Sequence, residues 1–371
     1  MSRRSRDNIN RAVPFRGAIP GEMARNARRK VERLPDRVCS LLPVIFALVV
    51  LSSGAKGQQP RGDLRLMWYN VENLMYPEDD TAAGDEEFTP EGLRHWTFTR
   101  YRRKLAMLAK VIVAAGDWDP PDLVGLCEVE NAMVLEDLVV HPILAPYHYG
   151  YLHRESPDHR GMDVACLFRT GRFSIAGWSA IPPVSHETQG ATRDMLHLWG
   201  TWGKKESLDL FLVHFISRFT GAGATAGYRR RQSAYLAFLA DSVHRERPGS
   251  LMIMAGDFND SWDGYSLEPL RGSLPGGDSI RNTCPAGDGY SYKYRGRWDG
   301  IDLCLAVDGK RKYRIGGSVF RPPFLLISDG SFGGRKPFRT YEGYSYAGGF
   351  SDHLPILVDI SRPPFSIRSG P

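Results

Sequence analysis

Two short stretches of this 371-residue chain, YNVEN (69–73) and CEVEN (127–131), each close an apolar run with acids and an amide. An uncompensated carboxylate is costly at the end of a buried strand. Three further corners repeat the pattern: GDFND (256–260), WDGID (298–302) and FSDHLP (350–355). Taken singly, an acid beside glycine is a turn residue, and His214 after LDLFLV is a satisfied core histidine. Taken together, five acidic corners at strand ends imply carboxylates converging on one edge. Such groups repel and must be desolvated, so they call for a cation between them. Oxygen donors, amides included, suit a hard divalent ion such as Mg²⁺ or Mn²⁺. One ion would then neutralise Asn70, Glu72 and Glu128 collectively.

These corners need strands to position them. DLRLMWYN (63–70), DLVGLCEVE (122–130), MDVACLFR (162–169), SLMIMAGDF (250–258), GIDLCLAV (300–307) and LPILVDI (354–360) are continuous apolar runs, as strands buried on both faces are. MLHLWGTWG (195–203) and LDLFLVHF (208–215) pair as a hairpin across KKES. Residues 98–115 carry Leu105, Leu108, Ile112 and Val113 at helical spacing, with Arg and Lys on the other side. Residues 132–140 predict a short helix and 225–246 a long one, while 77–92, acidic and rich in turn formers, predict a loop. Helices and strands alternating in this way share one α/β domain, and the adjacent strand pairs imply mixed sheets.

The formal charge of +6 is misleading. Residues 1–57 hold 12 basic and 4 acidic residues, leaving 36 basic and 38 acidic for the rest. The body has no overall positive field to attract a polyanion. Local patches remain conceivable at Arg229–Arg231 and at Arg94, Arg100, Arg102, Arg103 and Lys104. The leader predicts export to the periplasm or beyond: a basic RNARRKVERLPDR, an apolar 40–51 too short to span a bilayer comfortably, then Ser53 and Ala55 at a cleavage-competent site. An uncleaved anchor is the alternative, and Met23 is a candidate start. No stable span is expected in the mature chain. Cys127, Cys166, Cys284 and Cys304 form no CxxC pair and no readable zinc site; burial as small hydrophobes is expected of them.

The order of the corners resembles the endonuclease/exonuclease/phosphatase superfamily, which covers the DNase I-like enzymes. Asn-x-Glu, Glu after GLC, His after an apolar strand, Asp-x-Asn after MIMAG, Ile-Asp and a closing Ser-Asp-His-x-Pro span about residues 64–360. The resemblance implies a four-layer α/β sandwich, two packed mixed β-sheets flanked by helices, with the active site at one edge and residues 58–371 as the catalytic domain. It also implies roles. Glu128 would be the principal Mg²⁺ ligand, with Asn70 and Glu72 beside it and Asp352 a further metal or water ligand. Asp257 and Asn259 would orient the attacking water and contact the phosphate. His353 would be the catalytic histidine, held by Asp302, with Asp299 the competitor for that part. His214 would match a second histidine of DNase-like members, although Leu212 stands where many carry Asn. Arg160, Asp163 and Arg193 are candidates for phosphate contact, against a surface role.

The implied activity is that of a secreted, metal-dependent phosphodiesterase, with nucleic acid as the first expected substrate (endonuclease-like) and a monomer as the expected state. A phosphatase or phosphodiesterase of a small molecule or lipid headgroup is the alternative, and a binding module without catalysis the third reading. The aromatics of YSYKYRGRW (290–298) could stack on bases or pack on the sheet.

Overall fold

The computed structural model describes residues 62–78, 84–183, 192–218, 221–272, 274, 278–284, 289–309 and 312–363. The leader and its cleavage site lie outside the described residues. Two six-stranded sheets carry the fold. The first contains β1 (Leu64–Leu74), β2 (Leu123–Val129), β3 (Tyr149–His153), β4 (Asp163–Arg169), β11 (Arg314–Val319) and β12 (Ile356–Ser361), in the order β11-β12-β1-β2-β4-β3. The second contains β5 (Phe173–Ile181), β6 (Met195–Trp202), β7 (Glu206–His214), β8 (Leu251–Asp257), β9 (Arg281–Asn282) and β10 (Asp302–Val307), in the order β5-β6-β7-β8-β10-β9.

Each sheet has one parallel pair at its centre, β1 with β2 and β7 with β8, and antiparallel neighbours outside it. The consequence is positional. The C-terminal ends of the parallel strands share an edge with the N-terminal ends of β4, β10 and β12. Alternation along the strands then decides which side chains reach the seam between the sheets. Leu66 and Trp68, Leu208, Leu210 and Leu212, Ile253 and Ala255, and Cys304 and Ala306 fill the inter-sheet core. Continuing those rows by one step gives Asn70, His214, Asp257 and Asp302 at the seam's rim.

Both outer faces are covered. Helices α1 (Phe98–Ala114) and α2 (Ala132–Val139) pack on the first sheet through Leu105, Leu108, Ile112, Val134 and Leu138. Helix α3 (Ala222–Glu246) and the 3₁₀ segment Tyr265–Arg271 cover the second through Leu236, Ala240, Leu267 and Leu270. Helix, sheet, sheet and helix are the four layers expected, and sheets buried on both faces explain why their strands read as unbroken apolar runs. The four cysteines within 62–363 are buried and free.

The sequence reading missed β3, β5, β9 and β11, which are short, half-exposed or glycine-containing. It also placed all the basic residues of α1 outside. Lys104 is instead fully buried and donates to Thr340 Oγ1 (2.5 Å) and the Phe350 carbonyl (2.6 Å). Arg229 is buried as well, bonded to Thr225 and the Ile216 carbonyl. Neither can belong to a surface patch.

Candidate active site

The acidic corners are kinks as well as strand ends. Glu72, Asn73, Glu128 and Asn259 have φ of 52°, 54°, 62° and 51°, left-handed values that cost non-glycine residues energy and collect at functional sites. The β1–β2 register breaks between Asn70 and Leu74, and the β2–β4 register between Cys127 and Val129. These bulges turn acids that strict alternation would bury among apolar side chains toward the rim. Asn131, the last residue of CEVEN, caps α2 by accepting from Val134 N at 3.1 Å.

The two sheets meet through Asn70. Its side-chain oxygen accepts from Glu72 N at 3.0 Å, which fixes the amide's orientation. Its NH₂ then donates to Glu128 Oε1 at 3.0 Å and to Asp257 Oδ2 at 3.2 Å. Glu128 Oε2 accepts from Asn73 N at 3.0 Å, and Glu128 is half-buried where Glu72 and Asp257 are buried. Asp257 is 2% exposed. Burial first, and then the nearby Asp302 charge, push its carboxyl up to about 7.

Asp302 holds His353. Its Oδ2 accepts from His353 Nδ1 at 2.6 Å and from the Ser291 hydroxyl, and its Oδ1 from Trp68 Nε1 at 3.0 Å. Asp299 pairs instead with Arg218 at 2.6 Å. Burial alone would suppress charge on His353, but Asp302 outweighs it and holds the imidazole well above its usual range. Its Nε2 faces Asp257 Oδ2 across 3.9 Å, and Tyr292 covers the ring at 4.6 Å. His214 Nε2 lies 3.7 Å from the same Asp257 oxygen. Burial, then Arg193, Arg160 and His353, drive its pKa well below normal, which favours the neutral ring. Leu212, one step back along its row, packs between the sheets and offers no donor.

The remaining candidates divide. Arg193 is buried, with Nη2 3.5 Å from His214 Nε2 and Nε 3.5 Å from Asp158; Arg160 reaches the same Asp158 at 3.8 Å. Asn259 turns its amide back to the Phe215 carbonyl (3.1 Å), while its N–H donates to Asp257 Oδ1 (2.9 Å). Glu72 accepts from Thr340 N (2.6 Å), Tyr341 N (3.3 Å) and Arg339 Nε (3.5 Å). Arg339 also binds Asp352 at 3.0 Å. Asp163 faces away, toward His153 Nε2 (2.9 Å) and Ser156. Among the described residues no ion pair joins it to Arg160 or Arg193.

The donor chemistry fits a hard divalent ion between Glu128 and Asp257, two carboxylates that converge on the Asn70 side chain; Asn70 turns its NH₂ toward them and its oxygen toward Glu72 N, so it would ligate only after its amide rotates. Glu72 and Asp352 fit it less well, because protein donors already occupy their oxygens. Asp257, Asp302 and His353 also lie close enough together to hold a metal, but His353 Nδ1 and both Asp302 oxygens are committed to each other, to Trp68 and to Ser291. Ser291, Trp68, Asp158, Arg339 and Lys104 were missed by sequence reasoning. Trp68 directly precedes YNVEN and Ser291 lies within YSYKYRGRW, but no local pattern gives any of the five a part in the site; only the fold brings them in.

Residues 65–362 match a family described as the Endonuclease/Exonuclease/phosphatase family. A comparison with curated proteins finds no match. Among solved structures, the human Nocturnin catalytic domain with bound sulfate anion is similar at TM-score 0.51 and 14% identity, over 81% of this chain and 94% of that one. TDP2 from C. elegans aligns at TM-score 0.51 and 13% identity, over 81% and 76%. A mannosyl-6-phosphatase from Bacteroides thetaiotaomicron aligns at TM-score 0.50 and 17% identity, over 80% and 99%. These identities speak to the fold. The match over 65–362 decides the rest: the chain belongs to the endonuclease/exonuclease/phosphatase family, a family of phosphoric ester hydrolases.

Proposed function

We propose that this protein hydrolyses a compact phosphate ester, by water attack assisted by Asp257 and His353, in a reaction that needs Mg²⁺ or Mn²⁺ held by Glu128, Asp257 and, once its amide rotates, Asn70. One observation carries the reading: a single buried Asp257 oxygen lies between two histidines, 3.9 Å from His353 Nε2 and 3.7 Å from His214 Nε2, with Asp302 favouring the charged form of the first and burial the neutral form of the second. A divalent ion bound there would neutralise phosphate charge and polarise the P–O bond. Asp257 takes a proton from water. His353, kept charged by Asp302, presents Nε2–H to a phosphoryl oxygen or the leaving group. Arg193 and Arg160, anchored on Asp158, supply cationic character beside His214, suited to phosphate oxygens.

A small-molecule or lipid-headgroup substrate is favoured over a nucleic acid, the first expectation from resemblance. Affinity for duplex DNA comes largely from free Lys and Arg on phosphates. Here Lys104 and Arg229 are buried, Arg230 pairs with Glu268, Arg94 with Glu87, and Arg100 bonds the carbonyls of Arg94 and His95, so of the candidate patches only Arg102, Arg103 and Arg231 are left exposed and outside these pairs. Export follows from the leader, and a monomer is the proposed state.

The test is a substrate panel with Mg²⁺, Mn²⁺ or EDTA: plasmid DNA, RNA, a generic phosphodiester, a sugar phosphomonoester and sphingomyelin. Turnover of a compact ester with EDTA sensitivity is expected. Turnover of DNA or RNA alone returns the nuclease reading, and activity indifferent to EDTA ends the metal-dependent one.

A further inference from the structure

Beyond His353 the rim carries side chains that the chemistry above does not use. Tyr292 forms a backbone bridge with His353 and lays its ring against the imidazole, 4.6 Å between centroids. Its cross-strand partner in the hairpin 292–299 is Asp299, and such partners point to the same face. Asp299 accepts from Arg218 Nη2 at 2.6 Å. On the other flank, Asp352 stands next to His353 in the chain and accepts from Arg339 Nη2 at 3.0 Å. Two arginine–aspartate pairs therefore bracket one phenol.

The side chains of Arg218 and Asp299 are 30% and 34% exposed, those of Arg339 and Asp352 35% and 20%, too open for the pairs to contribute much to stability. Each pair also has bonding capacity to spare. Among the described residues the Tyr292 hydroxyl has no partner, Arg218 spends one nitrogen on Asp299, Arg339 Nη1 is unused, and one oxygen of each aspartate is uncommitted. Burial, then Asp352, push the Tyr292 phenol up, with Arg339 and Arg218 acting against them, so it stays a hydroxyl and can donate. Ion pairs of this kind commonly do no more than steady a hairpin. Here the spare donors and acceptors stand beside the imidazole that serves the leaving group, and their mixture selects a chemistry. An apolar leaving group would strand them without partners. An anionic one would meet a carboxylate for each guanidinium. A neutral alcohol with several hydroxyls can donate to the aspartates and accept from Tyr292 and the arginines.

We propose that Tyr292, Arg218 and Arg339, with Asp299 and Asp352, form the leaving-group subsite, and that the substrate is a phosphate ester of a polyhydroxylated alcohol, a sugar or a cyclitol. The inference rests on the compact-ester reading above and names the alcohol that it leaves open.

Matched pairs of substrates test it. A hexose 6-phosphate is compared with hexyl phosphate, and inositol 1-phosphate with cyclohexyl phosphate, each as the monoester and as the methyl diester, in Mn²⁺. Within a pair the ester is of the same kind and the hydroxyls differ. The wild-type chain should prefer the hydroxylated member of at least one pair by about 100-fold or more in kcat/KM, since a site built to bond hydroxyls rejects an analogue that lacks them. The pair with the larger preference separates sugar from cyclitol. Arg218→Met and Tyr292→Phe should each cut that preference about tenfold, the scale of one lost hydrogen bond; either variant suffices should the other fail to fold. Equal turnover of both members of each pair overturns the proposal and leaves the compact-ester reading standing. A preference that survives undiminished in the folded variants overturns it too. If none of these compounds is turned over, the subsite falls, and the substrate panel above shows whether the compact-ester reading falls with it.

Discussion

Asp302 shows how one carboxylate can set the protonation of a whole site. It is 1% exposed and accepts from His353, Ser291 and Trp68. Replacing it by Asn removes the charge that outweighs burial at His353, so the imidazole should titrate well below its wild-type value. An NMR titration of His353 in Asp302→Asn reads this directly; an unchanged pKa would mean that Asp302 does not govern the ring. Turnover should fall about 10²–10⁴-fold, the usual contribution of general acid–base assistance. Asp257→Asn and His353→Ala should lose comparable activity while keeping the wild-type circular dichroism spectrum. Retention of most activity by either variant would remove that residue from the mechanism.

At the scale of elements, the segment 339–350 straps the rim, and α1 reaches through the core to hold it. Lys104 donates to Thr340 and Phe350, and Thr340 N and Tyr341 N in turn bind Glu72. Lys104→Met should cost about 1–3 kcal/mol, since it strips buried acceptors of their donor, and should raise KM more than it lowers kcat. Gly125 of β2 plays a comparable part between the sheets. A Cβ there would sit 2.6 Å from Leu212 Cδ2 and 2.9 Å from the Trp68 ring. Gly125→Ala is therefore expected to cost about 1–3 kcal/mol by overpacking, read from urea midpoints, and to disturb Asp302 through Trp68. The same contrast explains what was legible in the sequence. Asp257, Asp302 and His353 stand at the ends of apolar strands, so pattern and chemistry coincide and mark them. Lys104 sits on a helix face where Arg and Lys ordinarily point outward, and Ser291 lies in a stretch whose aromatics draw the eye. The burial of Lys104 is decided by a strap about 240 residues away, and that of Ser291 by its bond to Asp302, neither of which a local period records. Glu72 and Asp352 carry the right residue types at the right corners, but Arg339, outside every motif, claims both.

For the whole molecule, the rim is a store of unfavourable charge whose sign can be read against pH. Burial raises Asp257 and Glu72 to about 7, against roughly 3.9 and 4.3 in an unfolded chain. Between those values the folded state holds protons that the unfolded state has lost, so stability falls as pH rises through that window. His353, held well above 6.5, acts in the same direction above its unfolded value. His214, held well below normal, acts oppositely, but only below about pH 6.5. Lys104, lowered to about 8 by burial, begins to act oppositely near the top of the range, but the three groups Asp257, Glu72 and His353 outweigh it, so from pH 6.5 to 8 the metal-free protein should lose stability. A tenfold change in proton affinity is about 1.4 kcal/mol, so the loss is large enough to show in Tm. A divalent ion at Glu128 and Asp257 competes with those protons, and its stabilisation should grow with pH. In EDTA, Tm is expected to drop between pH 6.5 and 8, and Mn²⁺ to restore more of it at pH 8 than at pH 6.5. Asp257→Asn should flatten both trends, because it removes the acid that titrates and weakens the site that binds. A Tm in EDTA that rises across this interval, or a Mn²⁺ effect equal at both pH values, would show that the convergent acids are not what couples this fold to a cation.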